Sequence, residues 1–151
     1  MRFSPFVIFL VPALVVATSF AVLAVDAPSK KDAPDLTAIR AKIKAKDFAS
    51  ARDDLFKLVN TNEDADVFNL LGFSLRKTGD YKNALTYYQK ALELDPDHKG
   101  AHEYLGELFV ETNQLLKARE HQAKLAALCP QGCEEREDLD KAIAAATPKT
   151  N

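Results

Sequence analysis

The chain matches itself at a spacing of 34 residues, and this constrains its fold more than any other feature. Leu71-Gly72 returns as Leu105-Gly106, Ala84 as Ala118, Lys90 as Lys124, Leu94 as Leu128 and Pro96 as Pro130. A period of that length, with small residues and closing prolines at fixed offsets, describes a helical hairpin stacked along a solenoid. One hairpin is too thin to bury its own apolar side, so neighbours must share a core. An all-α fold follows, and only five glycines in 151 residues agree with it.

Helical periodicity runs from residue 36 onward. Leu36, Ile39, Ile43 and Ala45 form one apolar stripe, and Ala51, Leu55, Leu58 and Val59 a second, with a break at Lys46-Asp47-Phe48. Asp66 to Lys77 reads as the first helix of the next hairpin. Thr78-Gly79-Asp80 stops and restarts the chain, because glycine tolerates a left-handed C-terminal cap and aspartate is a good N-cap. Tyr81, Ala84, Leu85, Tyr88, Ala91 and Leu92 mark the buried side of the following helix, which Asp95-Pro96 ends. Ala101 to Glu111 and Leu115 to Leu128 repeat the pattern, with Asn113 in the place of Gly79. A last helix over about Glu134 to Ala146 puts Leu139, Ala142, Ile143 and Ala146 on one face and charge on the other, as a terminal cap requires.

The N-terminus differs in kind. Arg2 is followed by an uncharged, mostly apolar run from Phe3 to Val25. Val22-Leu23-Ala24 and Val25-Asp26-Ala27 both fit the small-x-small pattern of signal-peptidase sites, so residues 1–27 read as a signal peptide. The same run is long enough to cross a bilayer uncleaved. Either reading exports the remainder, to the bacterial periplasm or to an inner-membrane anchor. Residues 28–35 form a polar, proline-containing linker.

The motif Phe68-x-x-Leu71-Gly72-x-x-Leu75, then Gly79-Asp80-Tyr81, Ala84, Tyr88, Ala91 and Pro96, resembles a nearly complete tetratricopeptide repeat. The next copy is similar through Leu105, Gly106, Phe109, Asn113, Leu115, Ala118 and Pro130, and departs at His102, Gln122 and Leu125. The first copy is degenerate: Lys46-Asp47-Phe48 and Ala51 match one residue out of register, without the closing proline. The resemblance divides the chain into a degenerate hairpin at 36–64, repeats at 65–98 and 99–132, and a capping helix at 133–147. The whole is also similar to small exported bacterial proteins with two or three such repeats and a Cys-Pro-x-Gly-Cys-Glu-Glu ending. Gly72 and Gly106 are expected where the two helices of a hairpin approach closely, opposite Ala84 and Ala118.

In this family the first helix of each hairpin lines a concave groove that receives a peptide or a partner helix. The resemblance implies Arg40 and Lys44 on the first copy, Asn69, Phe73 and Arg76 on the second, and Glu103 and Glu107, with Glu111, on the third. Such a groove runs from basic to acidic, with Phe73 as an exposed apolar anchor. Members that bind heat-shock-protein tails use a Lys, Asn and Arg set, which the three glutamates do not match. The implied role is an adaptor or scaffold that binds a protein or peptide partner in the cell envelope. The alternative is a membrane-tethered assembly factor for an envelope complex, using an uncleaved N-terminus.

Other constellations are weaker. Cys129-Pro130-Gln131-Gly132-Cys133 reads as a structural disulfide in an exported chain, with proline and glycine turning the backbone between the sulfurs. Haem attachment would need His where Glu134 stands, a redox pair is more usually Cys-x-x-Cys, and two thiolates make no zinc site. His98 and His102, near Asp95 and Asp97, lack a convincing third metal ligand. His102-Glu103-Tyr104-Leu105-Gly106 fails as a zinc-peptidase motif at Gly106, and His121 stands alone on a polar face. No metal, cofactor or catalytic constellation is expected, so an enzyme is not. The formal net charge of -2, which cleavage after Ala27 leaves unchanged, gives no reason to expect a nucleic-acid partner. A membrane is a partner only if the N-terminal segment stays uncleaved.

Overall fold

The computed structural model describes residues 33–147. The expected signal peptide or anchor, and most of the linker, lie outside the described residues. Within them the chain forms α1 (Thr37–Lys44), α2 (Phe48–Leu58), α3 (Ala65–Lys77), α4 (Tyr81–Leu94), α5 (Lys99–Glu111), α6 (Leu115–Leu128) and α7 (Glu134–Ala146). None of these helices is long and apolar enough to cross a membrane.

The three hairpin turns are closed by one device. Lys46, Gly79 and Asn113 take φ values of 62°, 87° and 58°. In each turn the left-handed residue donates its amide three residues back, to Ile43, Arg76 or Val110. The next amide reaches five back, to Lys42, Leu75 or Phe109. This double closure satisfies carbonyls that a helix end otherwise leaves open. The next helix starts at once: the side chains of Asp47 and Asp80 accept from the amides of Ser50 and Asn83. Asp64 and His98 cap α3 and α5 in the same way, accepting from Asp66 and Ala101.

Packing follows the repeat. Ala51, Ala84 and Ala118 are fully buried at equivalent places on α2, α4 and α6. Leu55, Leu71, Tyr88, Leu108, Leu125 and Leu139 are the largest fully buried side chains of a core continuous from Leu36 to Ile143. A Cβ on Gly72 would lie 2.7 Å from the Tyr88 ring, so glycine lets α4 press its aromatic onto α3. Gly106 departs from expectation. A Cβ there would meet Leu139 of α7 at 2.6 Å, not a residue of its hairpin partner α6. The reason is local: Gln122 stands one repeat after Tyr88, and its Nε2 turns away to donate to Asp140 Oδ1 at 2.7 Å. The vacant place over Gly106 is filled from the cap. The α7 helix therefore lies chiefly against α5, as the first helix of another hairpin would. Tyr81 also departs from expectation: it is 41% exposed rather than on the buried side.

Cys129 and Cys133 are joined as a disulfide across the turn between α6 and α7, with Cα atoms 6.0 Å apart. Gly132, at φ 98°, makes that reversal possible. The bridge fixes the point from which α7 leaves.

Candidate functional site

The first helices α1, α3 and α5, continued by α7, share one face, and its two halves handle charge differently. Near the α3–α5 contact the charge is paired. Arg76, with a side chain 1% exposed, donates from Nη2 to Glu107 Oε2 at 2.5 Å and from Nη1 to Glu111 Oε1 at 2.8 Å. Its guanidinium lies 5.5 Å from the Phe73 ring centroid and 5.7 Å from that of Tyr104. Phe73 is half-buried, packed edge-on against Phe48 at 5.9 Å and against Tyr104 at 4.7 Å. The expectation of exposed Arg76 and Phe73 is thus corrected: glutamates one repeat further on draw the arginine inward, and aromatics of α2 and α5 cover Phe73. The basic-to-acidic gradient goes with them, because Glu107 and Glu111 neutralise Arg76. Tyr88 Oη and Arg76 Nε remain buried without hydrogen-bond partners. Burial pushes the Tyr88 phenol far above its ordinary range.

The other half is a cleft of about 310 Å³ between α3, α5 and α7, with Arg40 of α1 at its end. Arg40 Nη2 donates to Asp66 Oδ2 at 2.9 Å. His98 Nδ1 accepts the Ala101 amide, so Nε2 carries the proton and donates to Asp66 Oδ1 at 3.0 Å. The His98 hydrogen bond first, then the Arg40 charge, hold the Asp66 carboxyl below the usual carboxylate range. Deeper in, Asn69 is 4% exposed and its Oδ1 has no partner. Its amide abuts Gly100, where a Cβ would approach Nδ2 to 3.2 Å. Glu103 is 8% exposed, and its carboxyl is pushed up to about 8 by burial first, then by Glu107, Asp138 and Glu135. Burial and Glu103 in turn push the Tyr104 phenol up to about 12.

Asn69 and Glu103, expected exposed, are therefore buried in the cleft wall, while Arg40 stands exposed at its rim. Lys44 is exposed at the end of α1 and lines neither half of the face. Sequence reasoning missed Asp66, His98, Tyr104 and the α7 carboxylates Glu134, Glu135 and Asp138, which complete the cleft. The acidic first turn of α7 was visible but was read only as a solvated back.

His121 is not isolated. Its Nδ1 lies 2.9 Å from His102 Nδ1, and its ring stacks on Phe109 at 5.6 Å. His102 Nε2 lies 3.0 Å from the Pro96 carbonyl, which can only accept. His102 therefore carries its proton on Nε2, and His121 donates to its Nδ1. Burial first, then His102, pushes the His121 imidazole down to about 4. A second hollow, of about 680 Å³, opens beside this pair between α4, α5 and α6. No cluster of three metal-ligating side chains occurs among the described residues.

Residues 65–98 and 87–120 each match a family model described as tetratricopeptide repeat. Over 62 residues the chain is 36% identical to the Sol locus transcriptional repressor of Clostridium acetobutylicum, covering 41% of this chain and 20% of that protein. Over 63 residues it is 36% identical to a TPR repeat-containing protein of Borreliella burgdorferi, covering 40% of this chain and 27% of that one. The chain thus spans about a quarter or less of the length of these relatives. Among solved structures, the type III secretion translocator chaperone SycD of Yersinia enterocolitica superposes with a TM-score of 0.64 at 17% identity, over 72% of this chain and 78% of that one. PcrH in complex with the chaperone binding region of PopD gives 0.62 at 19%, over 72% and 83%. These identities establish likeness of fold alone. With hairpin turns and core positions recurring in step, residues 65–120 carry tetratricopeptide repeats.

Proposed function

We propose that this chain is an exported adaptor of the bacterial envelope that holds a segment of a partner protein along the face formed by α1, α3, α5 and α7. The observation that carries the proposal is the cleft, whose wall holds the buried polar side chains Asn69 and Glu103. A helix face serving only as surface would leave its polar atoms in water, whereas Asn69 and Glu103 are buried in a concave wall. PcrH, of similar fold, was solved in complex with the chaperone binding region of PopD, and this supports a polypeptide occupant. Export rests on the uncharged run from Phe3 to Val25 behind Arg2.

Site-specific photo-crosslinking tests the reading. A photoreactive residue at Arg40 or Glu135, on the cleft, captures a partner in envelope extracts, and one at Glu120, between α4 and α6, does not. Equal yields from both positions would refute a cleft-centred contact. The same apolar run supports a second reading, a membrane-tethered assembly factor. N-terminal sequencing of the mature protein separates the two: a start at Val25 or Pro28 removes the tether, and a start at Met1 keeps it.

A further inference from the structure

The geometry points to the His102–His121 pair as an acid-sensitive latch: it holds α6 on α5 at neutral pH and releases it in acid while α3 and α4 stay packed. The inference does not depend on what the face formed by α1, α3, α5 and α7 binds.

Register carries the first observation. One repeat earlier the same two places hold Phe68 of α3 and Tyr87 of α4, stacked with ring centroids 6.3 Å apart and planes at 20°. The third repeat puts imidazoles there, so an apolar clasp between hairpin helices becomes one that depends on a proton. The second observation is the shape of that clasp. The Nδ1 atoms are 2.9 Å apart and the ring centroids only 5.1 Å, so the two nitrogens face each other almost head-on. One proton fits between them; a metal ion, which sits about 2 Å from each ligand nitrogen, does not. His102 Nε2 is committed to the Pro96 carbonyl. The pair is therefore bonded when both rings are neutral, and a proton added to His102 Nδ1 breaks it.

The third observation is how little of α6 is anchored otherwise. Its buried residues are Ala118 and Leu125, against Ala84, Tyr88 and Ala91 on α4, and no side chain caps its N-terminus as Asp80 caps that of α4. The hollow of about 680 Å³ lies along it, with Leu92, Leu105 and Phe109 in its lining. Because α7 is seated on α5 through Leu139 over Gly106, it keeps a support of its own when α6 loosens. Solenoids of stacked hairpins open in local units of this size.

Among the described residues no carboxylate is bonded to either imidazole of the pair. In the turn before α5, Asp97 is paired with Lys124 of α6 at 2.8 Å, and His98 donates to Asp66. On α4, Glu93 is paired with Lys90 at 3.2 Å. On α6, Lys117 lies 5.2 Å from the Phe109 ring centroid, and Glu120 lines the hollow without bonding either ring. Asp140 of α7 accepts from Gln122. Burial pushes both imidazoles down, His121 to about 4. Freed by opening, each returns to about 6.5, so opening takes up protons. The latch is at full strength above about pH 6.5 and weakens as the pH falls towards about 4. Its release bares Leu105 and Phe109, which the latched form keeps buried.

Hydrogen exchange on the full-length chain, read as opening constants helix by helix at pH 7 and pH 5, tests the latch. One freed histidine raises an opening constant by at most about 25-fold over that interval, and two by at most about 600-fold. A rise of about 100-fold is expected for α6, while α3 and α4 change by less than about fivefold. The double variant His102→Phe, His121→Tyr copies the pair of the second repeat and keeps His98; its α6 is expected to change by less than about fivefold as well. If that variant fails to fold, nitrogen NMR of the parent imidazoles decides: at pH 7 the shared proton sits on His121 Nδ1 and His102 Nδ1 carries none. A rise in α6 within the one-histidine limit, an equal rise in α3 and α4, a response that persists in the double variant, or a proton on His102 Nδ1 at pH 7 overturns the inference.

Discussion

Docking of α7 onto α5 through Gly106 is open to a direct energetic test. Alanine at Gly106 places its Cβ 2.6 and 2.8 Å from the two methyl groups of Leu139, which is fully buried. Overpacking of this kind costs about 1–3 kcal/mol. The glycine-to-alanine change within a helix returns about 1 kcal/mol of helix propensity. Gly106→Ala alone is therefore expected to destabilise by about 0–2 kcal/mol. Leu139→Ala alone leaves a cavity and costs about 2–5 kcal/mol. In that background the alanine at 106 no longer clashes, so Gly106→Ala becomes stabilising by about 1 kcal/mol. The two changes are coupled by about 1–3 kcal/mol. Urea denaturation of the four proteins measures the cycle, with an unchanged m-value confirming that the unfolded surface is the same. Additivity within about 0.5 kcal/mol would show that the two residues do not touch, and α7 would not lie on α5 as described.

Other perturbations address the remaining parts of the framework. Arg76→Met removes the cation that compensates Glu107 and Glu111; a loss of about 3 kcal/mol in chemical denaturation is expected, and Arg76→Lys does not restore it because a single ammonium cannot span both carboxylates. Lys46→Gly relieves a side chain from the left-handed region and raises stability by about 1 kcal/mol, seen as a higher melting temperature. Reduction of Cys129–Cys133 frees a short loop and lowers stability by roughly 2 kcal/mol, read as a fall in melting temperature on adding reductant. The His121 imidazole is depressed in the folded state, so its contribution to stability is full above pH 6.5 and is lost as pH falls towards about 4. His121→Phe keeps the stack on Phe109 and flattens the stability profile across that window by about 1–2 kcal/mol, after allowance for partial exposure.

The hairpin turns show what a sequence discloses and what it hides. Gly79 and Asn113 announce a left-handed cap because their chemistry favours one. Lys46 takes the same conformation with no such signature, so the first turn was legible only as a break. The fold came through because local signals agreed with the 34-residue register. The cleft came through only in part, because its walls depend on which elements meet. Glu107 and Glu111 lie 31 and 35 residues beyond Arg76, near one repeat length, so their pairing across stacked helices was readable. It was masked by treating each first helix as an exposed surface. Gln122, already noted as a departure from the family pattern, was the one sign that the place over Gly106 would be filled from outside its own hairpin.

Pairing of charge separates framework from site on this face. Where Arg76 meets Glu107 and Glu111 between two aromatic rings, each charge has its partner inside the fold, and removing one mainly costs stability. In the cleft the pattern reverses. Glu103 ionises reluctantly, because of its burial first and its carboxylate neighbours second, and no cation pairs with it among the described residues. Folding alone would favour an apolar residue at 69 and a neutral one at 103, since either removes a desolvation cost without losing a bond. The disulfide at the base of α7 adds to this, because it fixes the start of the helix that brings Glu135 and Asp138 to the cleft. Polar groups held in an arrangement that costs the isolated chain stability suit a binding surface, where a partner offsets that cost.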